Sequence, residues 1–82
     1  MYLKKGVKTL GFKPELLFGL IVAEGVWDIY DEEVWVTSGT EGEHGPGSLH
    51  PAGLAADLRT RYFTDKQKLL VADELRNRLG TD

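Results

Sequence analysis

Eighty-two residues allow one small domain, and a chain this short buries so little of its surface that its stability has little reserve. With no cysteine, neither a disulfide nor a thiolate zinc site is open to it. Ten Lys/Arg against thirteen Asp/Glu leave a formal net charge of −3, which provides no basic field for nucleic acid, and 41% hydrophobic residues is too many for a disordered chain.

The amino terminus does not read as a secretory signal. Met1-Tyr2-Leu3-Lys4-Lys5 carries some positive charge, but Gly6-Val7-Lys8-Thr9 stands where an apolar stretch should begin. The most apolar run, Leu16 to Ala23, is far shorter than the ~20 residues that cross a bilayer. The expectation is a soluble chain made in the cytoplasm, delivered by something else if it acts outside.

Met1 to Phe12 reads as an irregular arm. Pro14 suits the first turn of a helix, where a missing N–H costs nothing, and Glu15 favours the positive end of the helix dipole. Leu16, Leu20, Ala23, Trp27 and Tyr30 keep helical spacing and predict the buried stripe, with Gly19 and Gly25 weakening the helix by roughly 1 kcal/mol each. The acidic run Asp31-Glu32-Glu33 ends it. Val34 to Thr37, β-branched and aromatic, predicts a strand.

Between Ser38 and Pro51 the fourteen residues include four glycines, two prolines, two histidines and two glutamates, which is loop composition. Leu54 to Arg59 alternates, with Leu54, Ala56 and Leu58 on one face and Ala55, Asp57 and Arg59 on the other, as in a strand. Thr64 and Gln67 have the spacing of a capping box. Leu69, Ala72, Leu75 and Leu79 follow at helical intervals, and Gly80 marks a stop. Two strands make a poor sheet, so a third is expected from beyond Asp82 or from a partner.

Catalytic zinc commonly takes three ligands from His, Asp or Glu and keeps one position open. His50 ends the glycine loop, and Asp57 follows seven residues later in a predicted strand, a setting in which aspartate is depleted. A turn at Pro51-Ala52-Gly53 would fold the two onto one centre, with Gly53 allowing close backbone approach. Trp27, Tyr30 and Trp35 read as core or half-buried residues, and Arg59 and Arg61 as solvated or ion-paired ones.

Ser48, His50, Gly53, Ala55 and Asp57 match the pattern Ser-x-His-x-x-Gly-x-Ala-x-Asp, position for position. The flanks Val34-Trp35-Val36-Thr37-Ser38-Gly39 and Ala56-Asp57-Leu58-Arg59-Thr60-Arg61 agree with it. The stretch from about residue 14 to 80 thereby resembles the zinc D-alanyl-D-alanine carboxypeptidases and endopeptidases, whose fold is shared with the hedgehog signalling domain. The resemblance implies an α+β fold with a small antiparallel sheet packed with two helices. It further implies zinc held by His50 and Asp57, and Ser48 beside the metal, contacting substrate or orienting the site. The implied substrate is a peptidoglycan stem peptide or cross-link. Small members without a signal look like bacteriophage lytic enzymes, released to the cell wall or carried in the particle.

Two departures stand out. Relatives often place a substrate-binding arginine in the turn after the first strand, whereas Ser38 to His44 contains none, and His44, its only basic-capable side chain, is the candidate for that substrate contact. The family also takes a glutamate base and a third ligand histidine from a segment after the last helix, and no histidine follows His50 here. Glu41, Glu43 and His44 are not placed like that element. The expectation is therefore a single incomplete domain over residues 1–82, truncated before the last ligand segment and lacking the C-terminal strand. The competing expectations are a non-catalytic assembly module, joined to an oligomer or larger particle through an unpaired sheet edge, and a site completed by a second chain.

Overall fold

In the computed structural model, which describes residues 1–42 and 47–80, the elements run β1 (Tyr2–Leu3), α1 (Pro14–Ile29), β2 (Trp35–Ser38), β3 (Asp57–Leu58) and α2 (Asp65–Leu79). This is a small α+β arrangement with one three-stranded sheet in the order β1-β2-β3. The sheet is mixed, which corrects the expectation of an antiparallel one: β1 pairs parallel with β2, and β3 pairs antiparallel with it.

The third strand comes from the amino-terminal arm. Tyr2 N–H donates to the Val34 carbonyl at 2.8 Å and Lys4 N–H to the Val36 carbonyl at 2.9 Å, which places Tyr2 opposite Trp35 and stacks their rings 4.9 Å apart. Arg59 covers the same indole, its guanidinium carbon 4.8 Å from the ring centroid, a cation–π contact rather than a solvated or ion-paired arginine.

Helix α1 begins at Pro14 and buries Leu20, Ala23, Val26 and Trp27, close to the predicted stripe. It ends in a Schellman motif: Glu32 N–H reaches the Trp27 carbonyl and Asp31 N–H the Asp28 carbonyl, each at 3.1 Å. Asp31 takes the left-handed position at φ 56°, a conformation that aspartate tolerates better than most residues. Gly25 faces the flexible guanidinium end of Arg78 on α2, which a Cβ there would approach to 3.0 Å.

Helix α2 has the capping box read from its sequence. Gln67 N–H donates to Thr64 Oγ1 at 3.1 Å, Thr64 N–H donates to Gln67 Oε1 at 2.9 Å, and Gly80 closes the helix at φ 70°. Its buried face differs from the expectation. Val71 is buried with Leu75 packed beside it, while Leu69 is 70% exposed and Leu79 is exposed too. At 100° per residue, Leu69 lies about 160° around the helix from Val71, so the two cannot both face α1. Packing on α1 selects the Val71 side.

The core lies between the two helices and the sheet, formed by Ala23, Val26, Trp27, Val34, Phe63 and Val71. Each large apolar side chain buried so completely contributes about 1.5–3 kcal/mol. Phe63 sits edge-on to Trp27, Tyr30 and Tyr62, with ring centroids 5.3, 5.5 and 5.0 Å away. The polar tips are satisfied: Trp27 Nε1–H donates to the Tyr62 hydroxyl at 2.9 Å, and that hydroxyl donates to the Glu33 carbonyl at 2.7 Å. Among the described residues, no helix is long and apolar enough to cross a membrane.

Candidate metal half-site

The strand expected over Leu54 to Arg59 is reduced to Asp57–Leu58. Leu54 N–H is taken by the Leu49 carbonyl at 3.1 Å, and Gly53 N–H by the His50 carbonyl at 3.0 Å. These bonds make residues 49–54 a closed turn, so the ladder starts only at Asp57. That turn folds His50 back toward Asp57, as the spacing required.

Where β3 meets β2 the register slips. Val36 pairs with Leu58 and Ser38 with Asp57, so Thr37 is an extra residue on β2. Such a bulge re-aims side chains and is frequent beside functional sites. Thr37 Oγ1–H donates to the Asp57 carbonyl at 3.3 Å, fastening the backbone of that residue. Gly39, the residue that follows β2, lies alongside His50.

The His50 side chain is only 14% exposed. Its Nδ1 lies 3.0 Å from the Gly39 carbonyl oxygen. A carbonyl can only accept, so Nδ1 carries the proton in that bond, and in neutral imidazole Nε2 presents its lone pair. Nε2 lies 3.5 Å from Asp57 Oδ1, and the Asp57 side chain is 64% exposed. Two electron-pair donors thus face each other, and a cation reconciles them, either a second proton on His50 or a metal ion. Two ligands each about 2.0–2.1 Å from a tetrahedral zinc lie roughly 3.3–3.4 Å apart, close to the separation seen here. A ring N–H tied to a backbone carbonyl is also the usual outer support of a metal-bound histidine. The donor types and the spacing both fit zinc as two of its ligands.

Among the described residues, no group of three or more His, Asp, Glu or Cys side chains could hold a metal ion. Ser48 Oγ accepts the His50 N–H at 3.2 Å, a local turn that orients the histidine backbone. His44 and Glu43, considered from the sequence for substrate or base roles, lie outside the described residues.

Gly53 has the role predicted for its type, but toward a different neighbour. It has φ 76°, and a Cβ there would land on the Gly11 carbonyl oxygen of the arm. Its own carbonyl accepts Lys13 N–H at 2.9 Å, joining the site turn to the start of α1. Glu41 has a structural role that its sequence position did not reveal. Its Oε1 accepts N–H bonds from Gly39 at 2.8 Å and Lys8 at 3.0 Å. The Lys8 N–H first and its own N–H next hold the carboxyl down at about 2, with burial opposing them and the Gly39 N–H and Ser38 hydroxyl adding less. The signal available in the sequence was the Gly39-Thr40-Glu41 step straight after a strand, but the partner that explains it lies some thirty residues earlier.

The apolar groove lined by Met1, Leu3, Phe12, Leu17 and Val36, and the acidic hollow lined by Glu24, Asp28, Glu32 and Glu33, include neither His50 nor Asp57. No protein-family model matches the chain, and no curated protein or solved structure matches it.

Proposed function

We propose that this chain carries the zinc-binding half of a D-alanyl-D-alanine-type metallopeptidase with the hedgehog/DD-peptidase fold. The substrate class is a peptidoglycan stem peptide or cross-link, as for a phage lytic or wall-remodelling enzyme. The observation that carries the reading is the His50–Asp57 pair, 3.5 Å apart, with the far nitrogen of the imidazole tied to a carbonyl. The motif Ser48 to Asp57 supplies the rest of the support.

On this reading His50 and Asp57 are two metal ligands, and Ser48 sets the His50 backbone with its hydroxyl close to bound peptide. Zinc, when bound, supplies a Lewis acid and a water acidic enough to ionise near neutrality. The third ligand and the general base would come from outside the described residues, from a further segment or from a second chain. The exposure of Asp57 leaves the ligand pair open on the side where those groups and the substrate would enter.

The test is metal content by mass spectrometry and zinc titration by calorimetry, alongside hydrolysis of a D-alanine-terminated peptide. The wild-type chain takes up zinc, and His50→Ala and Asp57→Ala each abolish uptake while leaving the fold intact by circular dichroism. Absence of zinc uptake by the wild-type chain overturns the reading.

A second reading, a non-catalytic assembly module, is favoured by one observation: among the described residues, β1 and β3 are sheet edges, each with a ladder partner on one side only. It expects strand addition at an edge, self-association in sedimentation, and a melting temperature insensitive to chelator. A melting temperature lowered by chelator excludes it.

A further inference from the structure

We propose that Glu41 is a positioning residue for His50, acting through the Gly39 peptide groups; this rests on the reading of His50 as a metal ligand. Gly39 is gripped from both sides. Its N–H donates to Glu41 Oε1 at 2.8 Å, and the next N–H, that of Thr40, donates to the Lys8 carbonyl at 2.9 Å. With both N–H groups held, the Gly39 carbonyl is aimed at His50 Nδ1, 3.0 Å away. The same Glu41 oxygen takes the Lys8 N–H at 3.0 Å, so one carboxylate fixes both the arm and the carbonyl that sets the imidazole tautomer.

No side chain fits at Gly39, because a Cβ would strike the Lys8 carbonyl oxygen. The arm therefore acts as a backstop against which the Gly39 peptides are pressed. A chain of hydrogen bonds runs from the Lys8 carbonyl through the Gly39–Thr40 peptide to the imidazole, polarising each member and making Nε2 a better electron-pair donor. Thr40 contributes a parallel tie through its hydroxyl, whose one proton goes to the Leu10 carbonyl at 3.0 Å, with the Lys8 carbonyl oxygen also 3.3 Å from Oγ1. That tie secures the arm without touching Gly39 N–H, and so provides a control.

The experiment compares the wild-type chain with Glu41→Ala, Glu41→Gln and Thr40→Val. The readouts are the His50 ring tautomer by ¹⁵N NMR in metal-free protein, and zinc affinity by titration. The wild-type ring is protonated at Nδ1. In Glu41→Ala the tautomers mix and zinc affinity drops about 10-fold or more. In Glu41→Gln the amide oxygen accepts the same two N–H groups and the wild-type ring state returns. Thr40→Val speeds amide exchange along Lys8 to Leu10 and leaves the ring unchanged.

An unchanged ring in Glu41→Ala, or an equal change in Thr40→Val, overturns the proposal. Absence of zinc binding in every protein sinks the metal reading alone, since the ring tautomer still decides the part played by Glu41. If Glu41→Ala does not fold, Glu41→Asp replaces it, because the shorter side chain cannot reach both N–H groups. An altered ring then supports the proposal and an unaltered one overturns it.

Discussion

The helical half of the molecule and the half that holds His50 are stabilised by different physics. Around Trp27 and Phe63 the order comes from apolar burial, with Val26, Val34 and Val71 shut away from water and polar tips serving only to satisfy the aromatic rings. Around His50 the apolar side chains face outward, Leu49 being 55% exposed and Leu54 44%. There the fastening is a set of hydrogen bonds between the loop and the arm, threaded through two buried glycines, Gly39 and Gly53. The His50–Asp57 pair is thus held in place without a core of its own. Its vulnerability then lies in backbone contacts rather than in lost methyl groups.

Trp27→Ala attacks the first half. It removes the largest fully buried side chain and should cost about 3–5 kcal/mol in urea denaturation, a large share of what a small domain has. A loss under about 1 kcal/mol would erase the contrast between the halves. Gly53→Ala attacks the second half, and its comparison is Gly42→Ala. Both glycines have φ 76°, but only at Gly53 does a Cβ meet the Gly11 carbonyl. The conformational penalty alone makes Gly42→Ala cost about 1 kcal/mol. Gly53→Ala should lose about 2 kcal/mol or more and free the arm to proteolysis. Equal losses would mean that the arm is not braced there.

Thr64→Ala removes the cap of α2 and should cost about 1 kcal/mol, with His50 ring signals unmoved because the helix end is remote in contact from the site. The smallest effect concerns pH. Glu41 titrates at about 2 when folded, against an ordinary value of 4.5. Its stabilisation is fully present above 4.5 and is lost as pH falls through that window toward 2, since the unfolded chain takes up the proton first. The stability gap between wild type and Glu41→Gln should be flat above about pH 5 and close by pH 2, measured by thermal melts across the range. A gap that closes near 4.5 would show that the Lys8 and Gly39 N–H groups do not hold the carboxylate.

How legible each part was follows from how far apart its partners lie along the chain. The Thr64–Gln67 box and the Gly80 stop involve groups within one or two turns, and both appear as read. The start of α1 at Pro14 and its stripe through Leu20, Ala23 and Trp27 follow from local φ preference and helical period. The stripe of α2 differs from the expected one because leucines at 69 and 79 keep helical spacing on a face that packing on α1 leaves exposed. The mixed sheet was not legible either. Tyr2–Leu3 is too short to announce a strand, and only its pairing with Trp35 and Val36 makes it one.

For the site, the sequence itself carries the residue types and the seven-residue spacing of His50 and Asp57, together with the turn that joins them. Local chemistry determined this much, because a glycine turn and a Ser–His backbone bond need only neighbours in sequence. The tertiary structure decided the rest: the bulge at Thr37, the Gly39 carbonyl against the imidazole, and the Glu41 link to an arm some thirty residues away. Such contacts are invisible in periodicity, since they join backbone groups that every residue carries. Only the folded path of the chain selects which of those groups meet.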